Sequence, residues 1–316
     1  MPSSSDRVVS VGLFANVAVA VGKYVAGAIT GSPAMMSEAF HSTADVGNEL
    51  LLLLGMRRSR RPPDALHPFG HGKLLYFYSL LVAVYIFGVG GGLAAYEGIH
   101  HLRHPEPSTH VIWNYCVLAF AAVLDSYSWM VSYRELLARK DPNESTWDEI
   151  IGSKDPRVFT IFLEDSAGLV GILLAFLGIF LGQTFHKPYF DAIASLLIAL
   201  LLTAVALLLG RENGALLAGE RTNRSRLKQI RQILMSDPAV ERIGDLLSMQ
   251  LGADQVLLTV RIKFRPGLTL EQIESIIPRL KNRVQQPDSA AVQIFIEPSL
   301  LDEKTTKRSG RSPKAA

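Results

Sequence analysis

Six runs of roughly 20 or more mostly apolar residues follow one another up to Leu209, and no other feature restricts the fold as much. A run of that length crosses about 30 Å of hydrocarbon as a helix. In lipid each spanning segment has to satisfy its own backbone hydrogen bonds, which leaves helices as the form such runs take. The expected spans are Val8–Ile29, Ala34–Met56, Leu74–Tyr96, Val111–Val131, Val158–Leu181 and Tyr189–Leu209. Composition agrees: 48% of the 316 residues are hydrophobic and only 19% are charged, so an all-α polytopic membrane domain is predicted over residues 1–210. Met1–Arg7 is short and polar and a full span follows it, so no cleavable signal peptide is expected. The single cysteine, Cys116, has no partner for an internal disulfide or a thiolate metal cluster.

Orientation follows from the basic residues. Arg57, Arg58, Arg60 and Arg61 sit directly after the second span, which makes that loop cytoplasmic and, two spans back, the amino terminus as well. A nucleic-acid patch is the alternative reading of such a cluster, and its place beside a span argues against it, so no nucleic-acid partner is expected. Gly31-Ser32-Pro33 predicts a tight turn between spans one and two, and Gly88 to Gly92 a place where a neighbouring helix comes close. His100, His101, His104 and His110 fall in the expected extracytoplasmic loop, where they either gather metal or are ordinary interfacial residues.

Inside this apolar frame some ionisable groups stand out. His41 and Asp45 are four apart in span two, one turn apart on one helix face, a spacing at which two side chains can hold one cation. Glu164 and Asp165 open span five. Each ionisable group at bilayer depth costs roughly 2.5–3.5 kcal/mol, so such groups read as a site by default. Imidazole and carboxylate donors without thiolate suit Zn²⁺, Mn²⁺, Fe²⁺ or Co²⁺. Asn16, Lys23, Asp125 and Asp191 are candidates to line the same cavity. A second cluster, Asp64, His67 and His71, follows the arginines. Either those three converge on one ion at the cytoplasmic mouth, or Asp64 pairs with the arginines while the histidines cap the next helix.

After Gly210 the composition turns soluble. Leu227–Met235 reads as an amphipathic helix, Asp245–Leu251 and Gln255–Phe264 as strands, Thr269–Val284 as a helix with Thr269 at its N-cap, and Ala291–Ile296 as a last strand. That order predicts a small α+β domain over residues 211–303, followed by a disordered basic tail over 304–316.

Together, the spans, His41-x-x-x-Asp45, the run Asp64-Ala-Leu-His67-Pro-Phe-Gly-His71-Gly-Lys73 and the α+β domain resemble the cation diffusion facilitator family. The resemblance implies a homodimeric divalent-metal/proton antiporter, mostly of zinc and sometimes of iron, manganese or cobalt. It implies a ferredoxin-like cytoplasmic domain that dimerises, a transport site from His41, Asp45, Asp165 and Glu164, and a loop site from Asp64, His67 and His71. Two departures mark this chain. Ile161 stands where the family's usual span-five histidine belongs, as in a branch that includes an animal mitochondrial zinc transporter. The soluble domain has no histidine or cysteine, so its usual zinc ligands are missing, with Asp245, Asp254 and Glu297 as the available substitutes.

The expected function is therefore zinc efflux by proton antiport, with manganese or ferrous iron as alternative cargo and no permanently bound cofactor. The expected setting is a bilayer, taken as a bacterial inner membrane, with both termini cytoplasmic. A membrane-anchored metal sensor is the rival from another class, although a sensor has no need of carboxylates at bilayer depth. An intramembrane hydrolase would need a nucleophile–base pair or a His-Glu-x-x-His motif, and the sequence has neither, so no enzyme is expected.

Overall fold

The computed structural model describes residues 4–105, 110–139, 156–253, 255–286 and 291–299. The disordered tail expected from Lys304, and the candidate ligand Asp254, lie outside the described residues. The chain divides into two compact units, one of residues up to Arg58 with Leu74–Gly214, the other of Ser59–Lys73 with the residues from Ala215 onward.

The first unit is helical: α1 (Ser4–Thr30), α2 (Pro33–Ser59), α3 (Leu74–Tyr85), α4 (Leu93–Arg103), α5 (Ile112–Arg139), α6 (Pro156–Phe185) and α7 (Tyr189–Ala218). Gly31 ends α1 in the left-handed region (φ +67°), and Pro33 opens α2. Glycine pays no Cβ penalty there, and proline lacks only an N–H that the first helical turn leaves unpaired. Between α3 and α4 the helix widens into a π segment, Ile86–Gly92. The glycine run allows α7 in: a Cβ at Gly91 would lie 2.8 Å from Thr203 Oγ1 and 3.4 Å from the Ala199 carbonyl. The stretch that begins at Leu74 is longer than its apolar run suggests. Helix continues through Arg103, because no proline interrupts it before Pro105, so His100 and His101 lie on α4 and not in a loop.

Among the described residues four stretches are long and apolar enough to cross a membrane: Leu74–Arg103, Ile112–Arg134, Phe159–Phe185 and Tyr189–Ala218. α2 has 27 residues, but carries Glu38, Asp45 and Glu49 along its length and Arg57 and Arg58 at its end. Its neighbours approach through glycine. A Cβ at Gly47 would run into the Tyr85 ring, and one at Gly55 would lie 2.8 Å from Tyr78 Cβ.

The second unit has the predicted element order: α8 (Arg224–Met235), β1 (Val240–Gly252), β2 (Gln255–Phe264), α9 (Leu270–Gln285) and β3 (Ala291–Pro298). β1 and β2 pair antiparallel, β2 and β3 parallel, with β2 in the middle. Alternation in β2 places Val256, Leu258, Val260 and Ile262 on the buried face. Leu258, Val260 and Ile262 join Ile230 and Leu234 of α8 and Ile276, Leu280 and Val284 of α9 in one core. Thr269 and Gln272 form a reciprocal capping box at the start of α9. Asp237, in the α8–β1 turn, accepts from Ala239 N and takes Arg279 bidentately at 2.9 and 3.1 Å. Burial pushes its carboxyl upward, but the Ala239 N–H and the two arginines, Arg279 and Arg283, outweigh that and hold it below the usual range.

Candidate functional site

Helices α2 and α6 present their polar residues to each other in antiparallel register. Asn48 of α2 donates to Glu164 Oε1 of α6 at 2.9 Å. Two turns back along α2, His41 meets Gly168 of α6, where a Cβ would lie 3.2 Å from His41 Nε2 and 3.5 Å from Asp125 Oδ2 of α5. One further turn back, a Cβ at Gly171 would collide with Glu38 Oε1. Small residues on α6 thus make room for the large polar side chains of α2 and α5. This follows from helix periodicity, since positions 164, 168 and 171 share a face, as do 38, 41, 45 and 48.

Within this stripe His41 is buried, and neither of its ring nitrogens has a hydrogen-bond partner. Asp45 Oδ1, 3.5 Å from His41 Nδ1, also lacks one. Buried polar atoms are normally hydrogen-bonded, and an orphaned set of one imidazole and one carboxylate fits the coordination of a cation. Asp165 is held differently: its Oδ2 accepts from Ser128 Oγ at 3.0 Å and Ser132 Oγ at 2.8 Å, both on α5. The structure therefore brings His41 and Asp45 together, while Glu164 and Asp165 are each tied to neutral donors. Ile161, one turn before Asp165, is exposed.

Three of the other cavity candidates, Lys23, Asn16 and Asp191, have partners too. Lys23 of α1 reaches Glu38 Oε2 at 2.9 Å, with side-chain exposures of 1% and 0%. Asn16 donates to Glu49 at 3.4 Å. Asp191, in the first turn of α7, accepts from Ser32 Oγ at 3.0 Å and Ala34 N at 3.2 Å, so it caps the start of α2. Glu38 is the residue that sequence reasoning missed. Its signal was there, an acidic residue inside an apolar run three positions before His41.

Asp64, His67 and His71 do converge. Among the described residues they form the one group of three or more histidine, cysteine or carboxylate side chains whose ligand atoms all lie within 4.8 Å of one another. Asp64 turns to the histidines: Oδ1 is 3.1 Å from His67 Nδ1 and Oδ2 is 3.4 Å from His71 Nε2. The His67 backbone N–H, assisted by the His67 ring and the Leu66 N–H, holds the Asp64 carboxyl below its usual range. This loop belongs to the second unit and lies tight on its sheet. A Cβ at Gly72 would run into the Leu251 carbonyl oxygen and lie 2.8 Å from Gln255 Oε1. In the same unit, the possible substitute ligands Asp245 and Glu297 both flank Arg261, at 3.4 and 3.0 Å.

Comparison with known proteins bears on the whole arrangement. A family described as the cation efflux transmembrane domain matches residues 9–218. The Xenopus laevis proton-coupled zinc antiporter SLC30A9, mitochondrial, is 33% identical over 287 residues, 89% of this chain and 51% of the relative. Metal tolerance protein C4 of Arabidopsis thaliana is 27% identical over 84% of this chain and 59% of its own length. The manganese efflux system protein MneP of Bacillus subtilis is 25% identical over 92% and 95%. The chain spans about half the length, or less, of the zinc antiporters it matches. The matched family region takes in the whole polar stripe of α2, α5 and α6, and this integral membrane protein belongs to the cation diffusion facilitator family, a family of transporters and not of enzymes.

Proposed function

We propose that this protein exports a divalent transition-metal ion, zinc foremost, across a membrane in exchange for protons. The observation that carries the proposal is the buried, unpartnered set of His41 Nδ1, His41 Nε2 and Asp45 Oδ1, facing α6 across Gly168. A cation entering there gains an imidazole and a carboxylate at once. Asp165 completes the site by exchanging its two serine hydroxyls for the ion, and Glu164 does so by leaving Asn48. Protons arriving from the other side compete for the same atoms and release the metal, since metal ligands must be deprotonated to bind. Access alternates between the two sides, so the ion and the protons never share an open path.

In this reading α1 and α2 join the four apolar stretches as six spans, the termini are cytoplasmic and the membrane is a bacterial inner membrane. The second unit is a ferredoxin-like domain through which two copies pair. Leu247 and Phe295, both exposed on the open face of its sheet, suit such a contact. Asp64, His67 and His71 collect the ion at the cytoplasmic mouth.

Zinc is favoured by the 33% identity to proteins named as proton-coupled zinc antiporters. Manganese or ferrous iron is the second reading. It is favoured by the excess of carboxylates over imidazoles and by the match to MneP over nearly its full length. A pH-sensitive dye inside proteoliposomes, challenged in turn with Zn²⁺, Mn²⁺, Fe²⁺ and Co²⁺, tests the proposal. A proton signal for zinc above the others supports it. Metal uptake without any proton movement overturns the coupling, and a manganese signal above zinc selects the second reading.

A further inference from the structure

The end of α4 carries a second concentration of metal-binding chemistry, remote in sequence from the polar stripe. Glu97, His100, His101 and His104 recur at helical spacing, so all four fall within about a 100° arc of the helix surface. His100 is in ring contact with both others, its centroid 5.5 Å from that of His101 and 5.4 Å from that of His104. Tyr96 stacks on the other side of His100 at 6.1 Å.

One of the three is already oriented. His101 Nδ1 lies 3.2 Å from the Glu97 carbonyl oxygen and 3.4 Å from Glu97 Oε1. Oxygens of that kind accept and do not donate, so the neutral ring holds its proton on Nδ1 and leaves the Nε2 lone pair to a metal. A metal-ligating histidine is held in the same way, by an acceptor on its far nitrogen. The helix end adds to this. The final carbonyls of α4 concentrate the negative end of its dipole, and His104 is its C-cap residue.

We infer that His100, His101 and His104, with Glu97 orienting His101, form a binding site for a borderline divalent cation such as Zn²⁺, Ni²⁺ or Co²⁺ at the end of α4. Their nitrogens are not drawn within 4.8 Å of one another as they stand. His100 and His104 are exposed, so no packing holds their rings away from an ion. With imidazole as the donor, the site discriminates against Mn²⁺ and Mg²⁺, which prefer oxygen. The inference is independent of transport, because it concerns a surface whose occupancy can be read without flux.

Carbethoxylation of individual histidines in the purified full-length protein, followed by peptide mass spectrometry with and without Zn²⁺, tests it. Zinc slows modification of His100, His101 and His104 and leaves His110 and His186 unchanged, and Mn²⁺ at equal concentration protects none of them. His104→Ala loses the protection of His100. Equal modification rates with and without zinc at all three histidines overturn the site. So does protection of His100 that survives His104→Ala, or equal protection by Mn²⁺. Zinc held at His41 or at His67 and His71 is read on separate peptides and changes none of these outcomes.

Discussion

Replacing Lys23 with methionine removes the cation from an ion pair closed off on every side. Lys23 Nζ and Glu38 Oε2 are 2.9 Å apart, both side chains have at most 1% exposure, and Glu38 Oε1 has no hydrogen-bond partner. Gly171 closes over that oxygen, where even one more carbon would collide. Methionine keeps the length and apolar character of the stem, so the change isolates the charge. Breaking a buried pair on one side leaves an uncompensated ion and costs about 3–5 kcal/mol. At about 2–4 °C per kcal/mol for a domain of this size, the melting midpoint falls by roughly 6–20 °C. The double replacement Lys23→Met with Glu38→Gln removes both charges and recovers most of the loss, because a neutral pair of similar volume is often no worse than the ion pair. The assay is thermal unfolding of the four proteins of this cycle in one detergent, at low and high salt. A coupling energy near zero, or a loss in Lys23→Met that salt abolishes, would refute the reasoning, since screening acts on exposed pairs far more than on buried ones.

Three further outcomes follow from the packing. Asp237→Ala takes the carboxylate from Arg279 and leaves Arg283 with Ser236 Oγ, and lowers stability by about 1–3 kcal/mol in urea titration. Because the native carboxyl titrates below its unfolded value of about 3.9, its contribution is complete above that value and disappears as pH falls through the depressed native one. Equal wild-type and mutant losses between neutral and acid pH would contradict this. Gly47→Ala drives a methyl into the Tyr85 ring and costs about 1–3 kcal/mol by thermal unfolding, and Tyr85→Leu in the same chain restores part of it. Gly72→Ala forces the loop away from Leu251 and Gln255, so zinc protects His67 and His71 from carbethoxylation less well than in wild type.

The second unit was legible because its signals are local. β2 carries an apolar residue at every second position from Val256 to Ile262, and Thr269 with Gln272 gives a capping box that can be read from spacing alone. β1 was only half visible. It begins at Val240, but Glu241, Arg242 and Gly244 interrupt the alternation, and register shifts fall in that stretch. The helical unit showed its long helices and its ionisable face for the same local reason. What the sequence could not supply was pairing across helices. Lys23 stands in the sequence as a cavity candidate and Glu38 carries no mark, because the contact that explains both joins two helices. Nothing in the sequence marks Ser128 and Ser132, and only the fold turns them onto Asp165. At the loop, spacing left two partners open for Asp64, and the folded turn points its carboxylate at His67 and His71.

The claim that the facing donors of α2 and α6 carry the ion is tested most directly by zinc flux into proteoliposomes. Asp45→Ala and Asp165→Ala are each compared with wild type at equal incorporation and unchanged oligomeric state. Either change removes a carboxylate whose charge a divalent ion needs in a low-dielectric site, so zinc entry and the accompanying proton signal both fall to the level of empty vesicles. Wild-type flux in either variant would contradict the assignment and place the transport site elsewhere in the helical unit.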